Sequence, residues 1–530
     1  MGFPFFFVLL LASTASAQHS AHTITSAPQE LIERAITIRT GIGIAHDDAG
    51  TKSAEAQKFY DQGLAYLHNY VWIEAARSFH QALRLDPNLA LAHSGLSVAY
   101  IELNKPKEAR EAITRAQTLA GKSSDHVKRH VDARLLQMAA EDAPADAAKL
   151  AAYRKSLDSA IAAFANDAEF LLLRGIAESP DPADRGQGSV LTSLPYYERA
   201  LKAAPTHFGP HHFMAHTYEN AGRMKEAEAE AGLYAAAAPS VPHAVHMHGH
   251  ELRRLGRITD AIARFEAADK LERDYIAREK IPAELDWHFA HNLDLLAASY
   301  QYIGQMKKAE PLLKQSFSLE TNLLVQAVNK REWPAFLLAR NRPSEALAAA
   351  QTLVSHPNLV VQATGHIESG FAYLAMNRPA DAANSSNLAL RALRAAQGGQ
   401  DLAAIALEAL QGEFLLRTAQ RDKGRAVMER AAMKWRSLPG PDAWTQSLFR
   451  LEAQARAARA VGDWPFAARL AQFMLEHDPN YAGTHLALAL VAQHDGNAAT
   501  TRREAELAFK GWASADKDLQ ELKTISDLRR

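Results

Sequence analysis

Two histidine pairs with four-residue spacing, His212 with His216 and His246 with His250, recur after a shift of 34 residues. That is the length of a helix-turn-helix unit that cannot bury its apolar face alone and must stack on copies of itself. Residues four apart share a helix face, and equivalent positions in successive units stand side by side. The two pairs are therefore expected on neighbouring helices, facing the same way.

The rest of the chain carries the same period. Phe59, Gln62, Gly63, Tyr66, Ala75, Phe79, Ala82 and Pro87 follow the tetratricopeptide signature, in which large residues fill a helix seam and small ones let the helices approach. His93, Leu96, Tyr100, Ala109, Ile113 and Ala116 repeat it one period later, so residues 56–123 read as two helix pairs. Gly222, Gly256, Gly304, Asn341 and Asn377 are each followed five residues on by alanine, at Ala227, Ala261, Ala309, Ala346 and Ala382. The pattern predicts an all-α, right-handed helical repeat solenoid of tetratricopeptide type.

Residues 1–17, MGFPFFFVLLLASTASA, have a short apolar stretch ending in Ala15-Ser16-Ala17, the small-x-small pattern of a secretory cleavage site, although no Lys or Arg precedes it. Export to the periplasm or beyond is expected, with no membrane span in the mature chain. An extended lead-in with one short helix is expected over 18–55, a helix pair array over 56–123 and an irregular helical segment over 124–207. Within that segment, 178–190 is a Pro, Asp and Gly-rich loop, read as a surface insertion with a lid as the alternative. His-rich repeats follow over 208–323, then further repeats over 324–530 with a charged capping helix at about 500–525.

Composition narrows the chemistry. Lys and Arg number 59 against 60 Asp and Glu, with no long run of one sign, so electrostatic capture of nucleic acid or an anionic membrane is not expected. Cysteine is absent, which excludes disulfides, thiolate metal sites and thiol nucleophiles. Gly121-Lys122-Ser123 follows a repeat helix without the glycine of a phosphate loop and reads as a turn. No HExxH or G-x-S-x-G motif occurs.

Ten of the 23 histidines lie between His207 and His291. Aligning the turn glycines makes His212, His246 and Asp294 equivalent, likewise His216 and His250, and likewise His243 and His291. These positions share one face of each first helix and are expected to line the concave groove. His212, His216, His246 and His250 are the candidate metal ligands, with His291 and Asp294 closing or extending the site and His243 a further candidate. Nitrogen ligation without thiolate suits Zn, Cu(II), Ni or non-haem Fe better than Mg or Ca. Glu219, one turn beyond His216, is a candidate base or ligand-orienting group. His248 and His211 fall on seam positions and read as packing; His68, His80, His93, His130 and His366 read as isolated seam or surface residues.

These stretches resemble a group of exported bacterial tetratricopeptide-repeat proteins with segments of the form H-Y-x-I-H-x-x-E, H-x-x-H-M-P-S-H and H-N-L-H. The matching residues are His212-Phe213-Met214-Ala215-His216 with Glu219, His243 to His250, and His291-Asn292-Leu293-Asp294. The similarity extends upstream to Phe59 to Leu64 with His68, over most of residues 40–320. His248-Gly249 replaces Pro-Ser and Asp294 replaces the last His, changes that bear on the preferred ion. The resemblance implies the fold but no substrate or reaction.

Three functions fit these observations: a scaffold whose groove binds a transition metal, a His-ligated metalloenzyme (oxidase or hydrolase) with Glu219 as base, or a metal-free module that holds a peptide or protein partner. In the last, Arg253 and Arg331 would join the His rows in an exposed groove suited to an acidic partner.

Overall fold

The computed structural model describes residues 26–321, 323–396, 401–418, 420–438 and 441–530. The proposed signal segment lies outside them. Among the described residues all regular structure is helical, apart from one isolated parallel bridge between Ile44 and His207.

One turn is used again and again. At the end of nine first helices among the described residues a residue adopts positive φ, at Tyr70, Asn104, Gly222, Gly256, Gly304, Asn341, Asn377, Gly462 and Gly496. The next amide then bonds back five residues, from Val71 N to Tyr66 O (3.0 Å), Arg223 N to Tyr218 O (2.8 Å) and Arg257 N to Leu252 O (2.9 Å). This satisfies carbonyls that the helix end would otherwise leave open. Five residues past the turn, Ala75, Ala109, Ala227, Ala261, Ala309, Ala346, Ala382 and Ala467 are wholly or almost wholly buried. A methyl-sized contact there lets the two helices of each pair close tightly.

Successive hairpins pack side by side to form the predicted solenoid, all-α and of tetratricopeptide type. The sequence-irregular segment 124–207 is regular in architecture: Asp125–Glu141 pairs with Ala147–Ala163, and Ala168–Ile176 with Leu194–Ala203. Only the second of these hairpin loops is long. It is packed down, because Arg185 enters the protein to meet Glu102 (2.5 Å) and Glu141 (2.7 Å) while its carbonyl accepts the Tyr70 hydroxyl.

The array also folds back on itself. Tyr302 bonds Asp478 at 2.9 Å, Trp512 Nε1 donates to Tyr302 O, and Asp516 N donates to Gly304 O. These contacts turn the chain after Gly511, so the single capping helix expected at 500–525 is two, Ala498–Gly511 and Gln520–Leu528. They also fill the inner face. Arg253 and Arg331 are buried, Arg331 against Gln446 and Glu332, so neither lines an exposed groove.

Phe79 shows how tightly a seam is packed: a methyl group added at Gly63 would stand 2.5 Å from its ring, and one at Gly95 would also clash with it. Gly63→Ala gains about 1 kcal/mol of helix propensity but overpacks at a cost of about 1–3 kcal/mol. Net destabilisation is expected, read as faster amide exchange across residues 54–120 with the C-terminal repeats unchanged.

Candidate metal centre

Three helices build the site: Gly209–Asn220, Pro242–Arg254 and Trp287–Tyr302, the first helices of three consecutive pairs. Each pair's turn fixes the helix offset, and the offset decides which histidines meet. His212 and His216 of the first helix converge with His243 of the second; His246 and His250 of the second converge with His291 of the third. In both groups one donor atom per residue lies within 4.8 Å of the others. The four-histidine arrangement expected from the sequence is therefore corrected to two triads. The stagger between neighbouring helices brings the residue three positions before the next pair, rather than that pair itself, opposite each i, i+4 couple.

Asp294 joins neither triad. It is half-buried beside a small cavity with Arg253, Asn329 and Glu332, facing the following repeat. It occupies the place of His212 and His246, but Ala298 stands where His216 and His250 would, so the series of triads stops there.

The first triad is built around His212. His216 Nε2 and His243 Nε2 lie 3.2 and 3.1 Å from His212 Nε2. Ligands on a tetrahedral ion with bonds of 2.0–2.1 Å are about 3.3 Å apart, so this spacing is that of a ligand set. His212 Nδ1 donates to the His68 carbonyl at 2.7 Å, which leaves Nε2 as a lone pair aimed at its neighbours. One lone pair cannot satisfy both flanking imidazoles. In the second triad His246 Nδ1 donates to Asn292 Oδ1 at 2.8 Å, and the Asn292 amide is oriented by donating to Phe265 O at 3.1 Å. His246 Nε2 is again left as an acceptor, with no hydrogen-bond partner. Fixing a ring through its far nitrogen is how metal-binding histidines are held.

Burial sets the protonation. Desolvation, then the neighbouring imidazoles, hold His212, His243 and His246 well below the usual histidine range. His216 is lowered to about 4, by burial first. These rings are neutral near pH 7, the form that binds metal. His212, His243, His246 and His250 are buried, His212 and His246 fully, and His216 and His291 half-buried, so they do not form an open row. The expectation of a concave, solvent-facing His row is corrected accordingly.

The cover comes from far away in sequence. Tyr70, at the first repeat's turn, places its ring 4.8 Å from His212 and 5.3 Å from His243, and Trp287 Nε1 donates to its carbonyl at 3.3 Å. Other turns use Gly or Asn at this left-handed position; Tyr70 holds φ of +59°. A side chain there costs about 1–2 kcal/mol, which marks the ring as the reason for the residue.

The repeat pattern of the sequence does not mark His288. Its ring lies between the triads, 5.0 Å from His243 and 4.5 Å from His246 by ring centroids. Its Nδ1 shares a 2.5 Å hydrogen bond with buried Glu272. It lies six residues before Asp294, outside the aligned positions, so the repeat register gave no signal for it. His68 is likewise not isolated: its ring and that of His207 hold Glu169 between them, at 3.0 and 2.7 Å. His211 pairs with Glu230 of its own hairpin and His248 with Glu228 of the preceding one, away from the triads.

Glu219 lies 3.6 Å from His250 Nδ1 and 3.9 Å from Arg254. Burial pushes its carboxyl up, but the neighbouring His250, with His216 and Arg254, brings it below the usual range. Glu251 beside it is pushed well above by burial and by the charge of Glu219, so one carboxyl of the pair is ionised while the other keeps its proton. Glu219 and Arg254 open on a cavity of about 480 Å³ with Trp444 and His477. His243 and His288 border another of about 440 Å³, beside Trp287 and Glu272.

No protein-family model matches the chain, and no curated protein does. Among solved structures it is similar to the Cut9–Hcn1 hetero-tetramer of the APC/C (11% identity, TM-score 0.31, covering 90% of this chain and 96% of that one). The quorum sensor NprR from B. thuringiensis gives 11% identity and TM-score 0.43, covering 73% and 98%. Yeast Tom70 gives 14% and 0.30, covering 89% and 95%. The superpositions are loose, and function rests on the site's own geometry.

Tyr70→Gly should relieve the turn and uncover the first triad. An imidazole-acylating reagent, followed by peptide mass spectrometry, is expected to modify His212 and His243 in the metal-free variant and to spare them in the metal-free parent. Equal labelling in both would show that Tyr70 is not the cover.

Proposed function

We propose that this chain is an exported helical-repeat scaffold whose central repeats hold transition metal in two adjacent three-histidine centres. The observation that carries the reading is the convergence of His212, His216 and His243 Nε2 with the His212 tautomer already set by the His68 carbonyl. Three neutral nitrogens and no thiolate favour Zn, Cu or Fe, and Glu219 supplies nearby negative charge. Export is supported by the N-terminal apolar stretch ending in Ala15-Ser16-Ala17.

The test uses untagged protein from metal-replete cells, recovered from the periplasm with Gln18 at its N-terminus. Plasma mass spectrometry should find roughly two equivalents of metal that depend on the central histidines. His212→Ala is expected to remove one and His246→Ala the other, with helical content unchanged. Metal content unaltered by the double variant would reject these ligands; a chain retained in the cytoplasm with residues 1–17 intact would reject export.

A second reading, metal-assisted hydrolysis or oxidation, is favoured by the cavity beside Glu219. A three-histidine ion leaves a coordination position open and can supply an acidified water or a redox centre. Glu219, held ionised between His250 and Arg254, would accept the proton. Glu219→Gln should then reduce turnover of ester or phenolic substrates by about 100-fold or more while metal content stays the same. A metal-loaded parent without turnover on either substrate class would leave the binding scaffold as the function. Partner binding, the third possibility, has the outer surfaces of the repeats available to it, since the His rows themselves are covered.

A further inference from the structure

The same i, i+4 histidine spacing occurs once more, far from the central repeats. His126 and His130 lie on helix Asp125–Glu141 with ring centroids 4.6 Å apart. Two carboxylates meet them. Asp167 uses Oδ1 to cap helix Ala168–Ile176, accepting from Phe170 N at 2.9 Å, and turns Oδ2 to His126 Nε2 at 2.7 Å. Asp47 arrives from the N-terminal lead-in, with Oδ1 3.2 Å from His126 Nε2 and Oδ2 3.3 Å from His130 Nε2. One donor atom from each of the four lies within 4.8 Å of every other.

Two observations separate this group from an ordinary ion pair. Asp47 and His130 are 6% and 9% exposed, and their facing atoms, Asp47 Oδ2 and His130 Nε2, make no hydrogen bond despite their proximity. Buried polar atoms left unpaired are costly. Phe170 stacks on the His130 ring at 3.8 Å and Phe164 meets His126 edge-on at 5.2 Å, which closes one side with apolar surface. A divalent cation would engage both unpaired atoms and balance the two carboxylate charges.

We propose that Asp47, His126, His130 and Asp167 form a separate site for a divalent transition metal, with Zn²⁺ the best match to two nitrogen and two oxygen ligands. The ion fastens the lead-in to the third and fourth hairpins. That segment is also tied to the central repeats: Ile44 O accepts from Phe208 N, just before the first His helix, and Gly41 O accepts from Ser240 N, just before the second. The site therefore secures the segment that packs at the starts of the first two His helices, and it stands whether or not the triads bind metal.

The test uses the full mature chain with His212→Asn and His246→Asn, so that the central ligands do not contribute. Zn²⁺ titration by calorimetry should show about one equivalent bound, lost on adding Asp47→Asn or His130→Asn. Zn²⁺ should also slow proteolysis within residues 26–50 of the parent and not of the Asp47→Asn variant. Absence of Zn²⁺ binding in the folded central variant, or binding unchanged by Asp47→Asn, overturns the proposal. Should the central variant fail to fold, crystals of the parent grown with Zn²⁺ decide it: an anomalous peak among these four side chains supports the site, and its absence overturns it.

Discussion

The left-handed turn followed five residues later by a buried alanine is the constraint on which the molecule depends. Where it occurs, the turn closes the first helix by satisfying its last carbonyls, and the alanine sets how near the second helix comes. Repeating both fixes the stagger of successive first helices. Each i, i+4 histidine couple then meets the residue three places before the next couple, which is why His243 completes one triad and His291 the other. Tyr70 is the informative exception: it accepts left-handed strain at the one turn whose side chain must cover His212 and His243.

Burial gives the centre its character. Rings in contact and removed from water remain neutral, and the His68 carbonyl and Asn292 decide which nitrogen of His212 and His246 carries the proton. The array is thereby prepared to accept a cation, since each fixed lone pair already points at its neighbours. The Glu219 and Glu251 pair places one ionised and one protonated carboxyl at the edge of the same cluster, next to a cavity that a small ligand can enter. Electrostatic compensation for a buried ion and access to it thus lie on the same side.

The repeat was legible because periodicity is a local property: Gly222, Gly256 and Gly304 with their alanines fixed turn and helix alike. The histidine couples were legible for the same reason. The quartet was not the true grouping, because the stagger between helices depends on packing across repeats. His126 and His130 carry the same i, i+4 signal as the central couples, but with no copy 34 residues away the repeat period does not mark them, and His130 alone reads as a seam or surface residue. Arg253 and Arg331 looked like groove residues because nothing local reveals that the chain returns, through Tyr302 and Asp478, to bury them.

The sequence by itself determined the helical repeat, the seam residues and which histidines share a helix face, all consequences of a 3.6-residue turn and a 34-residue period. Only the tertiary structure decided which of those histidines meet, that Tyr70 and Trp287 cover them, and that Asp47 joins Asp167 beside His126. These contacts join residues tens to hundreds of positions apart. Whether such groups come together depends on the accumulated stagger of the stacked helices and the return of the chain, not on the spacing within any one repeat.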